Sequence, residues 1–237
     1  MTDSAVTYEL QDRVAIITID DGKANAISHD IAAGVHDALE RARSEAGAVV
    51  LTGRPGRFSA GFDLSVMTSS PEAARNLLKA GADIAIEIHE FPMPVVIAAT
   101  GHALAMGAIL LMSADIRIGV EGNYKIGLNE VAIGMPVPKF AVELARTSLS
   151  NAAFTSAVNH ATVYDPAGAV VAGYLDQVVA DDAVLPTALA QAAELAERLD
   201  ADAFALTRKN CRGASLDLIR SGLAADIATF VVKVPEA

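Results

Sequence analysis

The sequence predicts an α/β fold, and three observations support this class. The β-branched runs at residues 14–19 and 48–52 are typical of strands, and the segment between them has the spacing of a helix. A third apolar run, at residues 95–99, follows another helical segment. From about residue 185 the chain is rich in alanine and again has helical spacing. We therefore expect strands joined by helices, followed by a helical C-terminal region.

The first helix should begin after Ser28, a favourable N-cap residue, and end before Gly47. Ile31, Val35 and Leu39 then lie on one face, because they are four residues apart. Since this helix connects two strands, the strands should pair in parallel through a right-handed crossover.

A second helix is expected to begin after Ser70, with Pro71 at its first position, and to end before Pro92. The strand at residues 95–99 should lead into a helix over residues 103–113. Two short strands are expected next, at residues 115–118 and 124–126. Three helices should follow, at residues 185–199, 203–210 and 216–228.

Neither a linker of biased composition nor an internal repeat interrupts the chain. We expect a core over residues 1–184 and a helical C-terminal region over residues 185–237. Met1 to Arg13 lack a basic patch followed by an apolar run, so a signal peptide is not expected. Residues 95–112 are almost wholly apolar, but Gly101 and His102 interrupt them and basic anchors are missing, so a buried strand and helix are favoured over a membrane span.

The composition excludes several functional classes. The 237 residues include 18 Lys and Arg against 29 Asp and Glu, a net charge of -11, which argues against nucleic-acid binding because phosphate recognition needs a basic face. With 52% hydrophobic residues the chain should fold rather than stay disordered. The single cysteine, Cys211, excludes an internal disulfide and a Cys-rich zinc site, and suits a cytoplasmic protein.

Familiar cofactor and catalytic signatures are missing. No G-x-G-x-x-G follows a strand and no G-x-x-x-x-G-K-[ST] is present, so a nicotinamide, flavin or nucleotide cofactor is not expected. Ser59 lies in half of a nucleophile elbow that lacks its first glycine, which disfavours an α/β-hydrolase. The histidines lack metal-ligand spacing, so no metal is expected. Their expected places are helix surfaces (His29, His36, His89), a loop at a helix start (His102) and a loop (His160).

Two glycine-containing turns each follow a strand, at residues 53–64 and 101–107. Such turns expose backbone N–H groups, and a helix start adds the positive end of its dipole. One N–H from each turn could converge on a single oxygen and form an oxyanion hole. The spacing alone favours the other interpretation, two ordinary turns between strands and helices.

Glu130 is a lone carboxylate in an apolar stretch that includes Val131, Ala132, Ile133 and Met135. Desolvation there should raise its pKa toward neutrality, as a general base near pH 7 requires. The alternative is a surface glutamate in a turn, which is the usual location of this residue type.

Taken together, these segments resemble the crotonase superfamily of enoyl-CoA hydratases and isomerases. The resemblance rests on five segments in the same order as in the family, at residues 23–27, 58–64, 101–107, 126–130 and 172–178. The most specific is F-S-A-G-F-D-L, at residues 58–64. It implies a crotonase-like (ClpP/crotonase) spiral of β-β-α units with a C-terminal helical trimerisation region. It further implies a homotrimer or a dimer of trimers.

The resemblance also implies an acyl-CoA thioester as the substrate, with coenzyme A as part of that substrate and no separate cofactor. It makes the N–H groups of Phe62 and Met106 the oxyanion hole and Glu130 the catalytic carboxylate. Ile109 stands where a two-carboxylate hydratase has its other acid. The string I-G-L-N-E at residues 126–130 most closely resembles mitochondrial-type Δ3,Δ2-enoyl-CoA isomerases.

Further substrate contacts are expected near the adenine, in the acyl pocket and, across a subunit interface, from a C-terminal helix. The residues are Lys23, Ala24, Arg57, Ser59, Ala60, Gly61, Ile109 and Lys209. Basic residues must offset the repulsion between the anionic coenzyme A and this acidic chain, although each cation is equally compatible with a solvated surface position. Asp63 is expected to cap a turn or helix rather than to take part in chemistry.

Isomerisation of a 3-enoyl thioester needs one base, which removes a proton from C2 and returns it to C4 while the oxyanion hole holds the enolate. Hydration must also activate a water and protonate the α-carbon, which is easier with two carboxylates. The residues therefore favour an isomerase. An enoyl-CoA hydratase, a non-catalytic acyl-CoA-binding protein, or another reaction of the same enolate (thioester hydrolysis, decarboxylation or dehalogenation) stays open.

Overall fold

The computed structural model of the protein describes residues 4–232. The strands are β1 (Val6–Gln11), β2 (Val14–Ile19), β3 (Ala48–Gly53), β4 (Gly56–Ser59), β5 (Val95–Ala99), β6 (Gly101–Leu104), β7 (Ile116–Val120), β8 (Ile126–Gly127) and β9 (Gln177–Val179). The helices are α1 (His29–Glu45), α2 (Leu64–Met67), α3 (Pro71–Glu90), α4 (Met106–Ser113), α5 (Lys139–Ser148), α6 (Asn151–Val158), α7 (Pro166–Ala172), α8 (Val184–Arg198) and α9 (Ala201–Thr229).

Two sheets organise the chain. The larger has six strands in the order β1-β2-β3-β5-β7-β9, and the smaller has three in the order β4-β6-β8. Only the β1–β2 pair is antiparallel among the paired strands of residues 4–232, so nearly every connection is a crossover. The parallel pairing predicted for β2 and β3 is confirmed.

The predicted helix starts are also confirmed. The Ser28 hydroxyl accepts a hydrogen bond from the Ile31 N–H at 3.2 Å, and the Ser70 hydroxyl accepts one from the Ala73 N–H at 3.1 Å, with Pro71 at the first position of α3. Such side-chain caps satisfy N–H groups that have no partner inside the helix.

Two helix predictions were wrong. Helix α4 begins at Met106 rather than at residue 103, because residues 101–104 form β6 and pair with β4. The two helices expected over residues 203–228 are one continuous helix, α9, which runs through Gly213. A glycine costs about 1 kcal/mol in a helix, and the packing of α9 against α3 and α5 outweighs it.

The large sheet is buried on both faces. Alternate residues of β2, β3 and β5 face two different cores, as the period of two in a strand requires. Ile17, Leu51 and Ile97 belong to the core that contains α1 and α3. Val14, Val50 and Val96 instead pack with the alanine face of α8 (Ala188, Ala192, Ala196). The proposed boundary at residue 184 stays a prediction.

An ion-pair cluster joins α9 to the residues between α4 and β7. The two carboxylate oxygens of Asp115 accept hydrogen bonds from Arg208 at 2.5 Å and from Arg212 at 2.9 Å. Arg208 is only 6% exposed and also donates to the Phe91 carbonyl at 2.7 Å. This cluster anchors the N-terminal half of α9 against the end of α3.

Two histidines differ from their predicted positions. His89 was expected on a helix surface, but it is buried next to Arg212. Burial, then the nearby Arg212 charge, lowers the pKa of His89 to about 4, so the ring is neutral at pH 7. His102 lies within β6 rather than in a loop at a helix start, and its Nδ1 accepts a hydrogen bond from the Lys125 N–H at 2.9 Å.

One group of potential metal ligands does occur on the outside of α1 and α3. Ligand atoms of His36, Glu40 and Glu87 lie within 4.8 Å of one another. Arg43 donates to Glu40 at 2.6 Å and to Glu87 at 3.3 Å, and the hydrogen bond to Glu87 raises the pKa of His36. The cluster is therefore an ion-pair network.

The helices within residues 4–232 include none with the length and apolar character that crossing a membrane requires.

Candidate active site

The small sheet brings three distant segments of the chain together. Its parallel strands β4, β6 and β8 end at the same edge, and their register aligns Ser59 with Ala103 and Ala103 with Ile126. Each strand is followed by a turn at that edge, at residues 60–62, 105–106 and 128–130. The carboxyl ends of parallel strands are where α/β proteins build their binding sites.

The first turn presents the N–H of Phe62. The Ile27 N–H donates to the Gly61 carbonyl at 2.7 Å, and the Asp63 N–H donates to the Ile27 carbonyl at 3.0 Å. These bonds fix the backbone on either side of Phe62, whose own N–H has no hydrogen-bond acceptor within residues 4–232. Asp63 caps α2 by accepting from the Ser65 N–H at 2.9 Å, as predicted.

The second turn presents the N–H of Met106, the first residue of α4. Ala105 has φ +48° and ψ -117°, a strained conformation for a residue with a Cβ, and its N–H donates to the Gly127 carbonyl at 3.0 Å. The Met106 N–H has no acceptor in the described part of the chain, because a first helical residue has no partner inside its helix.

The two turns are in close contact. Gly61 has φ +100°, and a Cβ built on it would lie 2.9 Å from the Ala105 Cβ and 3.6 Å from the Met106 nitrogen. Only glycine combines this backbone conformation with so close an approach. An oxyanion hole is built from two such N–H groups when both point at one oxygen.

The third turn carries Glu130. Its side chain is only 7% exposed, and Oε2 has no hydrogen-bond partner within the described residues. Burial raises the pKa of Glu130 to about 7, and no cation among the described residues offsets this effect. The Glu130 carbonyl accepts from the N–H groups of Ile133 and Met135 at 3.0 and 2.9 Å, which holds the turn in place.

Glu130 is buried as predicted, but not all of the apolar neighbours in sequence on which the prediction relied contribute to its burial. Val131 is 45% exposed and Ala132 is also exposed. The carboxylate instead faces a cavity that Ile109 and Met135 help to line. On another side lies Tyr174, whose hydroxyl is buried without a partner among residues 4–232; burial and then the Glu130 charge raise the pKa of this phenol.

The cavity measures about 80 Å³. Its mouth is exposed, as Leu64 and Ile133 are 59% and 50% exposed, whereas its floor is buried at Leu78 and Phe230. The lining residues are Ala60, Phe62, Leu64, Met67, Leu78, Ala105, Ile109, Asn129, Glu130, Ile133, Met135, Pro136, Pro138 and Phe230. The cavity is therefore an apolar space with one carboxylate and one amide, from Asn129.

Four of the predicted site residues line this cavity: Ala60, Phe62, Ile109 and Glu130. Gly61 and Met106 shape the two turns beside it. Sequence reasoning missed Leu78 on α3 and Phe230 after α9, because neither carries a local signal of function. It also missed Asn129, whose Oδ1 is buried without a partner in the described chain, although the I-G-L-N-E string contains it.

The predicted substrate contacts at Lys23, Ala24, Arg57 and Ser59 do not reach the cavity. The Ala24 carbonyl accepts from the Ala60 N–H at 3.1 Å, so this loop supports the first turn. Ser59 is wholly buried, donates to the Asn25 carbonyl at 2.8 Å and accepts from the Gly61 N–H, so its side chain supports the first turn. Its expected substrate contact stays a prediction. Lys23 and Arg57 are exposed outside the cavity.

Asn25 fixes the same loop and was not singled out from the sequence. It has φ +51°, is fully buried, and its Nδ2 donates to the carbonyls of Ile19 at 2.7 Å and Phe58 at 3.3 Å. It therefore ties the end of β2 to β4. Its signal was available, because it lies in the segment at residues 23–27 that carries the family resemblance.

Lys209 is exposed on α9 and lies far from the cavity of its own chain. It precedes Phe230 by 21 residues, which is about 30 Å along a helix axis. Within one chain the structure therefore does not bring Lys209 to Glu130, and its expected contact across a subunit interface stays a prediction.

Comparison with known proteins agrees with this arrangement. The sequence profile described as Enoyl-CoA hydratase/isomerase matches residues 9–234. The chain belongs to the enoyl-CoA hydratase/isomerase family. A crystal structure of a family member from Pseudomonas syringae is similar, with 43% identity, a TM-score of 0.93, and coverage of 96% of this chain and 98% of that one. The predicted crotonase-like fold is thereby confirmed.

Two relatives in this family are named for different reactions. Human mitochondrial enoyl-CoA delta isomerase 1 is 30% identical over 195 residues, which are 81% of this chain and 64% of that protein. A probable enoyl-CoA hydratase from Bacillus subtilis is 33% identical over 142 residues, 58% of this chain and 54% of that protein. The matches thus span less than two thirds of either relative. Family membership supports an enzyme.

Proposed function

We propose that the protein is an enoyl-CoA isomerase that converts 3-enoyl-CoA into 2-enoyl-CoA. The observation that carries this proposal is a single buried carboxylate, Glu130, without a second acid in the described lining of its cavity. Ile109, only 1% exposed, occupies the lining position where the family resemblance puts the second acid of a hydratase. One base with a pKa near 7 is sufficient for a 1,3-proton shift.

The proposed reaction follows from the three turns. The thioester oxygen accepts hydrogen bonds from the N–H groups of Phe62 and Met106, and Glu130 removes a proton from C2. The electrons of that C–H bond move into the C2–C1 system, and negative charge collects on the oxygen. Protonated Glu130 then returns the proton to C4, and the double bond shifts to C2–C3. Removing one oxyanion donor costs about 2.7–4 kcal/mol in a well-studied hydrolase.

The decisive test is Glu130→Gln. The amide keeps the shape of the side chain and cannot accept the proton, so we expect 3-enoyl-CoA isomerisation to fall by about 10²–10⁴-fold. The affinity for a saturated acyl-CoA, measured by calorimetry, should change little. Full turnover in the variant would refute the proposal, and binding by the wild-type protein without turnover of any enoyl thioester would identify it as a binding protein.

A hydratase is the second candidate, and one observation favours it. The Asn129 Oδ1 and the Glu130 Oε2 are both buried acceptors without partners in the described chain, and both residues line one cavity. A water has two donors and could satisfy both. If hydration of 2-enoyl-CoA is the main activity, Asn129→Ala should lower it while leaving 3-enoyl-CoA isomerisation nearly unchanged.

We also propose that the chain assembles as a homotrimer or a dimer of trimers, with the acyl-CoA thioester as its partner molecule. Support comes from the helical C-terminal region, where α9 exposes Leu206 by 62% and Leu218 by 56%. Burial of such side chains against another chain would be favourable, because it removes apolar surface from water. Sedimentation of the protein should give three or six times the mass of one chain, and a monomer at micromolar concentration would refute this.

A further inference from the structure

We infer that the site selects short acyl chains, of about four to six carbons, because the cavity that Glu130 lines is closed by a floor of buried side chains. This inference rests on the proposed acyl-CoA substrate and adds its length. Its basis is the size of the cavity, the burial of its floor, and the contacts that leave no space around that floor.

The cavity is small for an acyl chain. Its volume is about 80 Å³, roughly half of the ~150 Å³ engineered cavity that binds benzene, a six-carbon ligand. By that comparison the whole cavity, whose lining includes Glu130 and Phe62, holds about three carbon atoms. Adding the thioester carbon and its neighbour at the mouth gives the stated length.

Residues that are distant in sequence form the floor of the cavity. Leu78 on α3 is 0% exposed and Met67 on α2 is 3% exposed, and both line the cavity. Phe230, directly after α9, is 6% exposed and also lines the cavity. The Phe230 carbonyl accepts a hydrogen bond from Arg75 of α3 at 3.4 Å, which links Phe230 to α3. A longer chain would have to displace buried side chains.

The space beside Leu78 is also filled. Gly81, one turn later on α3, contacts the Phe62 ring, and a Cβ built on it would lie 2.5 Å from the Phe62 Cζ and 3.1 Å from the Met106 Sδ. The ring and the thioether therefore lie directly against the backbone of α3. The Phe62 ring thus lines the cavity, and the Met106 side chain fills the space behind it against α3.

The test is the affinity of saturated acyl-CoA thioesters from C4 to C12, measured by calorimetry. Each methylene buried in the cavity should tighten binding about fourfold, so wild-type affinity should rise about 16-fold from C4 to C6. It should then fall by at least tenfold at C10. Affinity that rises steadily through C12 would overturn the inference.

Leu78→Ala removes part of the floor, and we expect it to move the best-bound chain to C8–C10. Leu77→Ala is the matched control, since Leu77 is equally buried on α3 but absent from the described cavity lining. It should keep the wild-type length profile. Equal profiles for the two variants would contradict the inference. If Leu78→Ala does not fold, Leu78→Val should shift the profile by a smaller step.

These measurements separate this inference from the proposed isomerase activity, because binding of a saturated thioester needs no turnover. A protein that binds C6 best but fails to isomerise 3-enoyl-CoA would retain the length selection and lose the proposed function. A protein that isomerises C6 and C12 substrates with equal kcat/KM would retain the function and lose the length selection.

Discussion

The two sheets of this molecule differ in how well their side chains are buried and in how many of their polar groups have a hydrogen-bond partner. In the large sheet, β2, β3 and β5 are buried on both faces and their strand residues pair in continuous parallel ladders. In the small sheet the strands are two to four residues long. The turns after them hold two N–H groups and one carboxylate oxygen that have no hydrogen-bond partner among residues 4–232. The large sheet therefore supplies stability, which allows the small sheet to keep groups free for a ligand.

Disrupting the ion-pair cluster of Asp115, Arg208 and Arg212 should cause the largest change in stability. Asp115→Ala leaves Arg208 and Arg212 without their carboxylate, and we expect the free energy of unfolding to fall by about 3–5 kcal/mol. Urea unfolding measures it. The exposed pair of Glu90 with Arg220 provides the control, because Glu90→Ala should cost at most about 1 kcal/mol. Equal losses would mean that burial of the Asp115 cluster is unimportant.

Glu130 should lower stability as pH rises. Its pKa is about 7 in the fold against an ordinary value of 4.5, so the folded state binds more protons between these values and its stability is lost as pH rises through that window. At pH 8 the penalty is up to about 3 kcal/mol. We therefore expect Glu130→Gln to be more stable than the wild-type protein at pH 8 and equally stable at pH 4.

The same titration predicts the pH dependence of turnover. Glu130 acts as a base only when ionised, so kcat/KM for the proposed isomerisation should fall tenfold per pH unit below about pH 7. A profile that is flat from pH 5 to pH 8 would assign the proton transfer to another group.

The first turn of the small sheet should be more sensitive to a methyl group than its conformation alone explains. Gly61→Ala places a Cβ 2.9 Å from the Ala105 Cβ and should lower turnover about 100-fold, the cost of one misplaced oxyanion donor. Gly56 also has a positive φ, +78°, but nothing lies within 4 Å of its Cβ position. Gly56→Ala should therefore keep turnover, and a comparable loss there would attribute the effect to backbone strain.

The smallest expected effect concerns the strain in the second turn. Ala105 has φ +48°, and Ala105→Gly should raise the free energy of unfolding by up to about 1 kcal/mol. Ala103→Gly, in strand β6, should instead lower the free energy of unfolding. Glycine there gives the unfolded chain more conformational freedom and removes a buried methyl group. Thermal unfolding of both variants measures this, and a destabilised Ala105→Gly would show that the turn is unstrained.

Much of the large sheet could be predicted from the sequence because its signals are local. The run at residues 95–99 forms β5 with the predicted bounds, and Ser28 and Ser70 cap their helices as expected. The small sheet was largely missed. Strands β4 and β6 contain glycines and exist because they pair with each other, and pairing between segments about 45 residues apart leaves no local pattern.

The site was predictable where one short segment contains it. Glu130 and the turns at Phe62 and Met106 follow from strings of residues, whereas the floor at Leu78 and Phe230 depends on how α9 crosses α3. The burial of His89 has the same cause, because Arg212 reaches it from 123 residues later in the chain. Contacts of this kind are determined by tertiary packing alone.

The position of Phe230 ties the cavity beside Glu130 to the residues that follow α9. Phe230 lies 100 residues after Glu130, so a chain cut by a protease ahead of this aromatic ring would keep the base and both turns but lose part of the cavity lining. If the proposed length selection holds, such a cut should widen the range of thioesters that bind before it abolishes binding.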